Sequence, residues 1–73
     1  MKPQTQACLR LLREGRSLTP AVARELVGTD RLAARISEIR AAFGEDYVRT
    51  TWEKNGNGGR HARYYLAQPE LFT

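Results

Sequence analysis

Side chains able to do covalent or metal chemistry are few in this sequence and badly spaced for it. The chain has one cysteine, Cys8, and one histidine, His61. That excludes an internal disulfide and a histidine cluster for a metal, and neither residue has a nucleophile–base partner in the sequence pattern. The eight acids are scattered along the chain. The sequence therefore predicts no catalytic residue, no metal site and no cofactor, and points away from an enzyme. Cys8 stands beside Leu9 and Leu12 in helical spacing, as a small buried apolar residue would, which suits a reducing, cytosolic setting.

The chemistry on offer is cationic. Twelve Lys plus Arg against eight Asp plus Glu give a net charge of +4 and a pI near 9.8. All but Lys2 and Lys54 of those bases are arginine, whose planar fork matches phosphate and carboxylate. The balance favours a polyanionic partner, nucleic acid before membrane, because no stretch has the ~18 continuous apolar residues needed to span a bilayer. The start "MKPQTQ" lacks the apolar region of a secretory signal.

One stretch concentrates the bases. In "WEKNGNGGRHARYYL", Trp52 to Leu66, two alternating segments flank a glycine-rich run. Residues 49 to 63 hold Arg49, Lys54, Arg60 and Arg63 against Glu53 alone, a basic finger. "GNGGR" is not a nucleotide loop, since the Lys and Ser or Thr that should follow are missing and no helix comes after it.

Three helices must position this finger. Thr5 caps the first, about residues 5–14, with Cys8, Leu9, Leu11 and Leu12 as its apolar stripe and Gly15 as its stop. Thr19 caps the second, about 20–27, with Pro20 in the first turn and Gly28 at the end. Thr29 or Asp30 caps the third, about 31–43, where Leu32, Ile36, Ile39 and Phe43 share one core-facing stripe. The period then changes to two, predicting a hairpin over about 47–67 with Trp52 and Tyr64 inward as core aromatics. The "NGNGG" tip permits positive φ and an easy reversal. The tail "QPELFT" offers Leu71 and Phe72 for packing on the body or for association.

Three helices, the second and third joined by a tight turn, then a hairpin: this is the order of a three-helix winged helix-turn-helix domain, α+β and mainly α, with a C-terminal two-stranded wing, expected to span 1–73 as one domain. The segments "TQACLRLLREGRSLTPAVAREL", "RLAARISEIRAAFG" and "RYYLA" resemble the small phage and prophage winged helix-turn-helix domains over nearly the whole chain. The resemblance implies double-stranded DNA as partner, no membrane, and a cytoplasmic location, nucleoid-associated or in the host cytoplasm if phage-encoded. It also implies a role as a small transcriptional or recombination regulator.

In that class the third helix enters the major groove. With the apolar stripe inward, Arg31, Ala34, Ser37 and Glu38 face outward, with Arg35 and Arg40 on the flanks. Arg31 and Arg35 suit guanine edges, Ala34 suits a thymine methyl, and Ser37 suits a base or phosphate. Arg35 and Glu38, three apart, also fit a simple helix-surface ion pair. On the wing, Lys54, Asn55, Asn57, Arg60 and Arg63 suit a phosphate strand or the minor groove. Arg16, Thr19 and Arg24 are weaker phosphate candidates. A domain this short covers few base pairs, so a homodimer or a partner protein is expected to supply useful specificity. The alternative is a winged helix used as a protein-interaction module without direct DNA binding.

Overall fold

A computed structural model describes residues 1–67. Three helices precede one hairpin: α1 (Pro3–Arg13), α2 (Pro20–Leu26), α3 (Leu32–Phe43), β1 (Val48–Lys54) and β2 (Arg60–Leu66). This is the expected order. The expectations for Leu71 and Phe72 lie outside the described residues.

The helix ends follow local chemistry, with corrections at α1 and α3. α1 starts at Pro3, because proline has no N–H to lose in a first turn and its φ suits one. Thr5 is therefore inside the helix and fully buried, and its hydroxyl donates to the Glu38 carboxylate instead of capping its own helix. α2 begins as expected: Thr19 is extended, its Oγ1 accepts from Val22 N–H at 3.2 Å, and Pro20 follows. It ends one residue early, at Leu26. The turn to α3 passes through Gly28 at φ 86°, a left-handed conformation that L side chains adopt only at a cost. Neither Thr29 nor Asp30 caps α3. Thr29 Oγ1 accepts from Arg31 N–H at 3.2 Å, which closes the turn ahead of the helix, and Asp30 is drawn to Arg24 Nε at 2.9 Å. Arg31 occupies the cap position with no side-chain bond.

Apolar stripes from all the elements meet in one core. Cys8, Leu9 and Leu12 of α1, Leu18, Ala23 of α2, Leu32, Ile36 and Ile39 of α3, Val48 of β1 and Leu66 of β2 form a single buried cluster. Each large aliphatic chain removed from water contributes about 1.5–3 kcal/mol. Phe43 departs from its expected place: it is 44% exposed, stacked on Tyr47 at 4.9 Å beneath the Arg13 guanidinium. The last turn of α3 has reached the edge of the body, so the ring packs beside a cation rather than inside.

β1 and β2 pair antiparallel, Val48 opposite Leu66 through Lys54 opposite Arg60. Leu18 adds a short third edge, exchanging two 2.8 Å backbone bonds with Tyr64. Alternation places Val48, Thr50, Trp52, Tyr64 and Leu66 on one sheet face. The inward register of Trp52 is as expected, yet the residue is 60% exposed and not a core aromatic. The indole is left largely uncovered, while Ala62 opposite it on the same face is buried. Tyr64, nearer the body, is half-buried against the core.

Candidate nucleic-acid interface

The outward surface of α3 is built from small side chains. Ala33, Ser37 and Ala41 are exposed and Ala34 is half-buried, so the helix backbone lies close to whatever docks there. Arg31 precedes this strip. It is exposed and its side chain has no hydrogen bond or ion pair among the described residues. An arginine held at a helix start with its fork free can reach a base edge or a phosphate.

Arg35 and Glu38, expected on the same outward surface, are drawn toward α1. Arg35 Nε lies 2.8 Å from Glu38 Oε1, and the Arg35 side chain keeps only 13% of its exposure. That approach is a charge contact without hydrogen-bond alignment, since Arg35 Nε has no aligned acceptor. Arg35 Nη1 donates to Gln4 Oε1 at 3.2 Å, while Gln4 Nε2 donates to the Gly28 carbonyl at 3.2 Å. Glu38 also accepts from Thr5 and lies 3.5 Å from Lys2 Nζ. The Thr5 hydrogen bond first, then the Arg35 and Lys2 charges, hold its carboxyl below the usual range. Gln4 thus links the start of α1, the helix-turn-helix turn and α3. Nothing in a lone Gln near the first residue signals that role from sequence.

Arg40 on the other flank ties α3 to the wing. Its Nη2 donates to Val48 O at 2.8 Å and Thr50 Oγ1 at 2.9 Å, and its guanidinium lies over the Tyr64 ring at 5.8 Å.

The wing divides its charges between its two faces. On the face shared with Trp52, Lys54 sits opposite Arg60, both are exposed, and neither has an ion pair among the described residues. On the other face Glu53 is bonded by Arg63 Nε at 2.9 Å and lies 2.9 Å from His61 Nε2. The Arg63 hydrogen bond first, then His61, holds the Glu53 carboxyl below its ordinary range. Arg63 also donates to Ser17 Oγ at 2.6 Å, so it anchors the base of the wing, and the His61 ring contacts the Asn55 side chain. At the tip, Asn55 N–H donates to Gly59 O at 2.7 Å and Gly58 takes φ 84°, leaving Asn57 exposed.

The structure thus groups Arg31, Ala34 and Ser37 on one strip and Lys54, Asn57 and Arg60 on the wing, while Arg35, Glu38 and Arg63 are engaged within the protein. Of the weaker candidates, Thr19 caps α2, Arg16 lies 3.8 Å from Glu14, and Arg24 is paired with Asp30. Thr19 and Arg24 line, with Asn55 and His61, a shallow hollow of about 300 Å³ between α2 and the wing.

A tight helical pair, an outward third helix and an antiparallel wing together define the winged helix-turn-helix class. A family model described as winged helix-turn-helix domain matches residues 3–69, and the chain belongs to that family. Such domains are in general DNA-binding modules and typically not enzymes. Neither a curated protein nor a solved structure matches the chain. Among the described residues no helix is long and apolar enough to cross a membrane.

Proposed function

We propose that this protein binds double-stranded DNA sequence-specifically, with α3 in the major groove and the wing on the backbone or in the minor groove. Its role is that of a small phage- or prophage-type transcriptional or recombination regulator, in keeping with the sequence resemblance. The observation that carries the reading is the pairing pattern of the bases. Arg16, Arg24, Arg35, Arg40 and Arg63 are tied to acids or backbone, whereas Arg31 at the start of α3 and Lys54 and Arg60 on the wing, together with Arg10 of α1 and Arg49 of β1, are exposed without acidic partners among the described residues. Cations left free at the two places where this class meets DNA supply phosphate neutralisation and a fork for guanine.

Within this reading Arg31 and Ser37 contact base edges, Ala34 sets a close approach, and Lys54, Asn55, Asn57 and Arg60 follow the backbone. Arg35 and Glu38 position the helix, and Arg63 positions the wing. A homodimer or a partner protein supplies the additional contacts that one short module lacks. A second reading, a protein-interaction module, is favoured by one feature: the exposed strip of α3 holds Ala33, Ala41 and Ala42 beside exposed Phe43, which is poor in hydrogen-bonding groups.

Fluorescence anisotropy on a labelled duplex at about 50 and 200 mM salt separates the two. If about five phosphates are neutralised, affinity falls about 500-fold across that range. No binding at the lower salt refutes the DNA reading and leaves the protein-interaction module.

A further inference from the structure

We propose that Trp52 and Arg60 form a stacking site for an unpaired nucleobase, so that the protein prefers DNA carrying an unstacked base beside a duplex over the same duplex fully paired. This rests on the DNA-binding reading and names the form of DNA that the wing recognises.

Trp52 lies on the sheet face that carries the core residues Val48 and Leu66, two residues beyond Thr50 towards the tip. Its cross-strand neighbour is Ala62, too small to cover an indole, and Trp52 is 60% exposed. More than half of the large ring is therefore open to a partner, although Ala62 itself is buried. Arg60, diagonal to it across the hairpin, holds its guanidinium 5.7 Å from the ring centroid, a cation–π distance that covers one face of the indole with a positive charge. An open hollow of about 320 Å³ lies beside the pair.

Charge placement selects the occupant. Lys54 stands opposite Arg60 on the same face, so two cations stand on the tip side of the ring. The acid of the distal wing, Glu53, points to the other face, where Arg63 and His61 engage it. An aromatic plane with two cations on its tip side, and no carboxylate on that sheet face among the described residues, matches a nucleotide: the base stacks on the indole and the adjacent phosphates meet Lys54 and Arg60. In an intact duplex each base is stacked on its neighbours and presents only its edges in the grooves. The indole therefore finds a free π-face only where a base is extruded, mismatched or single-stranded.

Trp52 is the sole tryptophan, so its emission reports this site directly. Two labelled DNAs serve as probes: a short duplex, and the same duplex with unpaired thymidines in one strand. The second should bind more tightly by about 5- to 150-fold, the range that one base–aromatic stack provides, and should quench Trp52 emission more strongly. Trp52→Ala should erase the difference while leaving duplex affinity unchanged, and Trp52→Phe should retain much of it. Both variants should unfold near the wild-type temperature, given the exposure of the ring. Equal affinity of the wild type for the two DNAs overturns the proposal. So does a Trp52→Ala variant that weakens both alike, which assigns the indole to the sugar–phosphate backbone. Binding of neither DNA refutes the duplex reading itself, whereas duplex binding without a preference refutes only the stacking site.

Discussion

Arg40 Nη2 lies 2.8 Å from the carbonyl oxygen of Val48 and 2.9 Å from Thr50 Oγ1, so a single guanidinium fixes the wing against α3. The contact joins the last turn of α3 to the start of β1, where, among the described residues, side-chain hydrogen bonds link the two candidate DNA-contacting elements. Hydrogen bonds from a charged group contribute about 1.5–3 kcal/mol each way of counting. Arg40→Ala should therefore lower stability by about 2 kcal/mol in urea denaturation. It should also weaken duplex binding at temperatures where the variant is folded, because the wing loses its set angle. A variant with unaltered stability and affinity would show that the guanidinium contact does not set the wing.

Arg31 and Lys54 should fail in different ways. Removing a fork that reads a base costs about 1–3 kcal/mol and relaxes preference at one position, while removing a phosphate contact weakens all sequences alike and lowers the salt slope by about one. Arg31→Ala should thus lose discrimination between preferred and scrambled duplexes. Lys54→Ala and Arg60→Ala should keep discrimination and flatten the salt dependence. Competition anisotropy at two salt concentrations measures both quantities, and identical profiles for the three variants would contradict the assigned division of labour.

How the sequence relates to these contacts can be seen residue by residue. The helix-turn-helix pair was legible because its signals are local: Thr19–Pro20 starts α2, Gly28 turns the chain, and Leu32, Ile36 and Ile39 repeat at helical spacing. The wing was legible from its period of two and its glycine-rich tip. What escaped were outcomes decided between elements. Thr5 is a good cap in isolation, but Pro3 starts the helix and Glu38, 33 residues away, takes the hydroxyl. Trp52 has the inward register of a core residue, yet register does not reveal that its ring stays 60% exposed. Arg35 and Arg31 look alike as bases, and only the approach of Gln4 and Glu38 distinguishes a positioning arginine from a free one.

Glu38 gives stability a specific pH dependence. Its folded pKa is lowered, chiefly by the Thr5 hydroxyl and then by Arg35 and Lys2, so the carboxylate stabilises the fold once it is ionised. The contribution is complete above the unfolded value of about 4.3 and is lost as pH falls through the lower folded value. Glu53 follows the same sign through Arg63 and His61. Glu38→Gln should therefore flatten part of the acid limb of a stability–pH curve measured by urea denaturation, with little change in its shape near neutrality. An acid limb of unchanged slope would remove Glu38 from the account.

Gly28 allows steric and conformational causes to be separated. It sits in the turn between α2 and α3 at φ 86°, its N–H donates to Ala23 O at 2.9 Å, and a Cβ built there meets nothing within 4 Å. Gly28→Ala should consequently cost stability through backbone conformation alone, about 1–2 kcal/mol for an L-residue held in the left-handed region. Gly28→Asn should cost less, because asparagine tolerates that region better than alanine does. A steric clash would reverse the order, since asparagine is the larger side chain. Thermal or urea unfolding of the two variants decides the matter. With the turn kept open for both side chains, the folded variants should bind duplex DNA like the wild type, which makes Gly28 a determinant of how the helical pair forms rather than of what it contacts.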